Sequence, residues 1–170
     1  MMKAGNAACQ ECWRDSTEVA CNWGEKGTAV EHPGGALERA EDALEEAKQA
    51  LECRRAGWAC FKLYEAVANL VKYLAERYRL PEAGKARSKG WATYLLSRAS
   101  KSLARILEKP ELDAAWCKAY DFYIHGFLAR ALEPEHVEPF VPLVEELVRI
   151  AGRRGEECGR KMNAGWEGTV

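Results

Sequence analysis

Asp121 and His125 stand four residues apart with Lys118 just ahead of them, a spacing that brings all three to one side of a helix. A carboxylate so placed can orient an imidazole for proton transfer. No nucleophile lies near them in the chain, and a surface ion pair accounts for the same spacing equally well. A second set, Cys9, Cys12, Cys21 and His32, has the residue types of a zinc site, since Cys-x-x-Cys is a chelating spacing and a tetrahedral centre needs four donors. The intervals beyond Cys12 match no zinc module, and the composition around them reads as an unstructured leader. No metal and no cofactor are therefore expected.

The third set is electrostatic. Arg77, Arg79, Lys85, Arg87, Lys89, Arg98, Lys101 and Arg105 follow one another against the single carboxylate of Glu82. If they converge on one end of the fold, Arg77, Arg79, Lys85, Arg87 and Lys89 above all could hold a phosphate backbone or a nucleotide. A solvated face paired with the acidic stretch from Glu38 to Glu52, or with a second subunit, explains the run without any ligand. No glycine-rich phosphate loop accompanies it. Over the whole chain 25 Lys and Arg nearly balance 26 Asp and Glu, which excludes a strong long-range pull on nucleic acid or on an acidic membrane.

The elements that must position these residues are helices. At 170 residues with 48% hydrophobic and 30% charged side chains, the chain suits one globular domain. Residues 1–35 carry no period and end in His32-Pro33-Gly34-Gly35, read as loop. From Leu37 onward Ala40, Leu44, Ala47 and Leu51 recur at a three-four spacing, giving a first amphipathic helix that Gly57 should stop. A second, over Trp58 to Tyr78, has so broad an apolar stripe that it should be central. A loop with Gly84 and Gly90 leads to a third, with Ala92, Leu95, Leu96, Ala99, Leu103, Ile106 and Leu107 as its buried face. The fourth, Glu111 to Leu132, carries Trp116, Tyr120, Tyr123 and Phe127 as a ridge expected to be shut inside the core. Gly126 on it implies that another backbone comes close. The fifth spans Glu138 to Arg153, with Pro142 suggesting a later regular start.

The expected fold is thus all-α, an up-and-down bundle of about five helices over 37–153, between a flexible leader (1–36) and a flexible tail (154–170). No strand alternation and no repeat of 20 to 50 residues occurs. No apolar run reaches the ~20 residues of a membrane span and the start lacks a signal peptide, so a cytoplasmic protein with no membrane partner is expected. Seven cysteines leave at least one unpaired, and Cys60 and Cys117 fall in apolar helical stretches where cysteine is commonly a small buried residue.

Phe61-Lys62-Leu63-Tyr64-Glu65-Ala66-Val67, Val71-Lys72-Tyr73-Leu74-Ala75, Gly90-Trp91-Ala92-Thr93-Tyr94-Leu95-Leu96 and Trp116-Cys117-Lys118-Ala119-Tyr120 leading into Ile124-His125-Gly126-Phe127 carry a resemblance. From about Leu37 to Ala151 the chain resembles the first of the PaREP families, crenarchaeal paralogous-repeat proteins grouped with the HEPN superfamily of small helical bundles. The resemblance implies an archaeal, cytoplasmic, HEPN-like bundle that forms a homodimer or pairs with a small helical partner. Elsewhere in that superfamily lie ribonucleases and partners of nucleotidyltransferases. Its active ribonucleases carry an Arg, four to six residues, then a His, so that guanidinium steadies phosphate while imidazole moves a proton. Arg130 and His136 fit that spacing here, but Ala131 stands where the active motif has a polar group, and Pro134 interrupts the interval. The leading expectation is a non-catalytic module that works by association; the alternative is an RNA- or nucleotide-binding protein, a weak ribonuclease or a nucleotidyltransferase partner.

Overall fold

The computed structural model describes residues 33–164, with side chains over 35–153. The apolar stripe beginning at Leu37 forms α1 (Pro33–Glu52), which starts in the stretch read as loop. Proline is at home in a first helical turn, where the N–H it lacks would have no partner. The same device opens three further helices, at Pro81, Pro110 and Pro134. Gly57 does not stop α1. The stop is Arg54, held at φ 54°, with the Arg54 N–H donating to the Leu51 carbonyl (2.8 Å) and the Arg55 N–H to that of Ala50 (2.7 Å). Those two bonds satisfy carbonyls that the helix end would leave bare.

The chain turns straight back into α2 (Ala56–Arg77), which packs along α1 and also touches each of the later α-helices and the turn at Phe122–Leu128. It is the central helix its broad stripe predicts. Its middle is formed by Leu63 and Leu70, with Cys60, Val67 and Val71, while Phe61, Tyr64 and Tyr78 lie at the edge. The α1–α2 contact is rich in small side chains: Ala36, Ala40, Ala43, Ala47 and Ala50 are buried on α1, and Ala59 and Ala66 on α2.

After Arg79, again left-handed at φ 51°, comes α3 (Pro81–Lys89), a helix where a loop was expected. Ala83 and Ala86 bury its inner side, which offsets the cost of Gly84. Next is α4 (Thr93–Ile106), with Leu95, Leu96, Ala99 and Leu103 inside. Two residues expected inside are exposed, Ile106 in its last turn and Ala92 just ahead of its first. Then α5 (Pro110–Asp121) changes pitch and continues as a π-helical turn over Phe122–Leu128. A one-turn α6 (Pro134–Val137) and a 3-10 turn (Glu138–Phe140) lead into α7 (Val141–Ala164), where Pro142 takes the second position and Val144, Leu147, Val148 and Ala151 face inward. The last helix therefore starts later and runs further than Glu138 to Arg153.

Five longer helices, α1, α2, α4, α5 with its π turn, and α7, make the bundle; no strand occurs among the described residues. No helix among them is long and apolar enough to cross a membrane. Cys9, Cys12, Cys21 and His32, and most of the segment read as a leader, lie outside the described residues.

Candidate functional site

The aromatic ridge is the largest feature whose position departs from expectation. Trp116 is shut away, 2% exposed, with its indole N–H donating to Ser97 Oγ at 2.9 Å. Tyr120, Tyr123 and Phe127 are only half-buried. They meet Phe61 and Tyr64 from α2, also half-buried, in a continuous ladder: Trp58 to Phe61 at 5.3 Å between centroids, Phe61 to Phe127 at 4.8 Å, and Tyr64 to Tyr123 at 4.8 Å. Two rows of rings from neighbouring helices thus form a band on the side of the bundle rather than its centre. Burial, with Tyr123 and Tyr120 adding to it, raises the Tyr64 phenol above its ordinary range, opposed by a hydrogen bond with Thr93. At the α2 end of the band Lys62 lies over Trp58 and Phe61, 5.2 and 5.6 Å from their centroids, and pairs with Glu46 and Glu65 at 2.9 Å. Burial pulls this ammonium's pKa down, yet the two carboxylates overcome it and leave it above its usual value. Leu128, 57% exposed, follows the last ring.

The close approach that Gly126 implied is present. A Cβ there would overlap Cys60 Sγ and come within 2.8 Å of Cys60 Cβ, while a Cβ on Gly57 would stand 3.2 Å from the Gly126 carbonyl. Two glycines therefore let the start of α2 press against the π turn. Burial pushes the Cys60 thiol up to about 11, so it stays protonated.

That π turn also governs the residues singled out for chemistry. Asp121 is the last residue of α5 and His125 lies within the wider turn, so the four-residue spacing no longer stacks them. Both are exposed, and no hydrogen bond or ion pair joins them. Lys118 instead sits 5.0 Å above the Phe122 ring. The turn closes on Arg130, exposed at φ 52°, where the Ala131 N–H donates to the His125 carbonyl at 2.8 Å. His136 is exposed in α6, and its Nδ1 accepts the Glu133 N–H at 3.2 Å, which leaves Nε2 for another partner. No hydrogen bond or ion pair connects Arg130 with His136. Beside them Arg54 reaches Glu135 (2.8 Å) and holds that carboxyl below its usual range.

Of the basic run, Arg77 leans on Tyr73, donating to its hydroxyl at 3.1 Å, and Arg87 pairs with Glu76 at 2.5 Å. Arg79, Lys85 and Lys89 are exposed on the end of α2 and on α3. Arg98 on α4 reaches back to Glu82 of α3, a link between two elements that sequence spacing could not reveal. An open groove of about 630 Å³ runs between α1 and α7, lined by Leu44 and Val148, with Lys48 bridging Glu45 (2.5 Å) and Glu145 (2.7 Å). No cluster of side chains that could hold a metal occurs among the described residues. Cys117, expected inside, is exposed on α5.

The family model for archaeal PaREP1/PaREP8 proteins matches residues 36–148, from the first turns of α1 into α7. The chain belongs to this family. The matched span holds α2, the aromatic band, the two close glycines and the basic run, while the last part of α7 lies beyond it. The fold is similar to a crystal structure of a protein from Sulfolobus solfataricus, at a TM-score of 0.61 and 28% identity over 68% of this chain and 94% of that one. No curated protein matches. The PaREP resemblance read from the helix signatures is therefore the family of this chain.

Proposed function

We propose that this PaREP protein acts by association, with the aromatic band of α2, α5 and the π turn docking against a second copy of the chain. The observation that carries this is the partial exposure of Phe61, Tyr64, Tyr120, Tyr123 and Phe127 in one contiguous band, continued by the exposed Leu128. Contiguous apolar surface of this kind marks contact sites, because each ring left in water forgoes part of its burial free energy. The near-zero net charge adds no repulsion between copies. A HEPN-like homodimer in the cytoplasm is the assembly this supports, with a small helical protein as the other occupant. Light scattering on size-exclusion fractions tests it. A dimer that becomes a monomer in Tyr123→Glu supports the reading, whereas a wild-type chain monomeric at micromolar concentration and alone in its native complexes overturns it.

A second reading is supported by Arg79, Lys85 and Lys89, which stand exposed on one end of the bundle without an ion-pair partner among the described residues. There the protein binds RNA or a nucleotide through its phosphates, and serves as a weak ribonuclease through Arg130 and His136 or as the partner of a nucleotidyltransferase. Salt-dependent RNA binding lost on neutralising Arg79, Lys85 and Lys89 supports this reading; no binding at low salt removes it. RNA cleavage abolished in His136→Ala separates the enzyme from the binder.

A further inference from the structure

Thr93–Ile106 contains no carboxylate, and its outward face is a line: Tyr94, Arg98, Lys101 and Arg105 at helical spacings of four, three and four. All four are exposed, Tyr94 at 61%. The cations span about 10 Å of helix, from the rise of ~1.5 Å per residue. Beneath the line, the Glu82 side chain is 5% exposed, and its Oε1 lies 3.4 Å from Arg98 Nε. The other carboxylate oxygen of Glu82 has no partner. A buried acid thus pairs with this guanidinium through its inner nitrogen, which leaves the two terminal nitrogens of a largely exposed side chain outside the ion pair, and that planar fork suits a phosphate.

We infer that this face of α4 takes single-stranded nucleic acid, with the backbone along Arg98, Lys101 and Arg105 and a base stacked on Tyr94. The inference rests on the second reading above, extends it from α3 to the adjoining α4, and gives it a substrate class. A protein partner covering Tyr94 would have to strip water from three cations at the same time. A duplex would satisfy the cations but offers Tyr94 no ring, since its base faces are already stacked. A single strand satisfies both, because each of its phosphates comes with a base whose face is free.

The test is fluorescence anisotropy on the full chain with short oligo-U, oligo-dT and a duplex of equal length, at low and raised salt. The expected result is a preference for the single strands of about tenfold, from the scale of base-aromatic stacking. Tyr94→Ala removes that preference and leaves duplex binding unchanged, while Tyr94→Phe keeps it. Arg98→Ala and Lys101→Ala each flatten the salt slope by ~0.7, the single-strand value for one phosphate contact. Oligo-U and oligo-dT binding alike places recognition on base and phosphate; oligo-U alone adds a 2′-hydroxyl contact. Equal binding of single strand and duplex, insensitive to Tyr94→Ala, overturns the inference but leaves the basic-face reading standing. No salt-dependent binding of any probe overturns both.

Discussion

Replacing Gly126 by Ala tests the packing that holds α2 against the π turn. In an ordinary helix the change would help, since Ala is favoured over Gly by about 1 kcal/mol. Here the added methyl overlaps Cys60 Sγ, lies 2.8 Å from Cys60 Cβ and 3.3 Å from Leu132 Cδ1. Cys60 is fully buried, so it has nowhere to swing, and overpacking of this kind costs about 1–3 kcal/mol. The clash is set by backbone-proximal atoms rather than by the tip of a flexible side chain, which places the outcome toward the costly end. Net destabilisation of about 1–2 kcal/mol follows, a fall of roughly 3–10 °C in the midpoint for a domain of this size. Thermal unfolding followed by circular dichroism reads it directly. Cys60→Ala in the same chain removes the sulfur and should return part of the loss, so that the double variant is more stable than the two single effects add up to. A Gly126→Ala protein that melts at or above the wild-type temperature would refute the close approach.

Glu108 is exposed and left-handed at φ 53°, closing α4 with its N–H on the Arg105 carbonyl. Glycine adopts that conformation freely, so Glu108→Gly should raise the melting midpoint by a few degrees, about 0.5–1 kcal/mol; a lower midpoint would contradict the helix end described. The cysteines divide by reactivity: iodoacetamide at pH 8 followed by peptide mapping should label Cys117 and spare Cys60. Because the folded Cys60 value of about 11 lies above the ordinary thiol value of ~8.5, its contribution to stability is fully present below that value and is lost as pH rises through the interval between them. Unfolding midpoints that stay level across that interval in the wild type, relative to Cys60→Ala, would refute this.

Much of the bundle was legible because apolar periodicity is a direct record of which face is buried. Leu44, Val67, Leu103 and Val144 all lie where their three-four spacing placed them. Gly126 was legible for a related reason: a residue unfavourable to helices, in the middle of one, needs a packing cause. The misplaced features have causes that periodicity does not encode. An aromatic recurring at helical spacing shows only that one face of a helix is apolar, so Tyr120, Tyr123 and Phe127 read as core although a single chain covers them only in part. The change from α to π winding at Phe122 has no residue marker, and it parts Asp121 from His125. Proline at a first position looks like a helix breaker until the helix behind it is known, which hid α3 and the start of α1. The Glu82 to Arg98 link joins residues sixteen apart on different helices, and only the fold brings them together.

The alanine contact between α1 and α2 has a mechanical result. Side chains as short as these have no rotamers to change, so the two helices cannot slide or tilt without leaving a gap or forcing backbones together. The hairpin from Pro33 to Arg77 therefore behaves as one stiff beam. Any change of shape that accompanies docking must be taken up elsewhere, at the junction with the π turn or at the short connections around α3 and α6. Labels placed on α1 and α2 would keep a constant separation through such an event, while a label on α4 or α7 would report it.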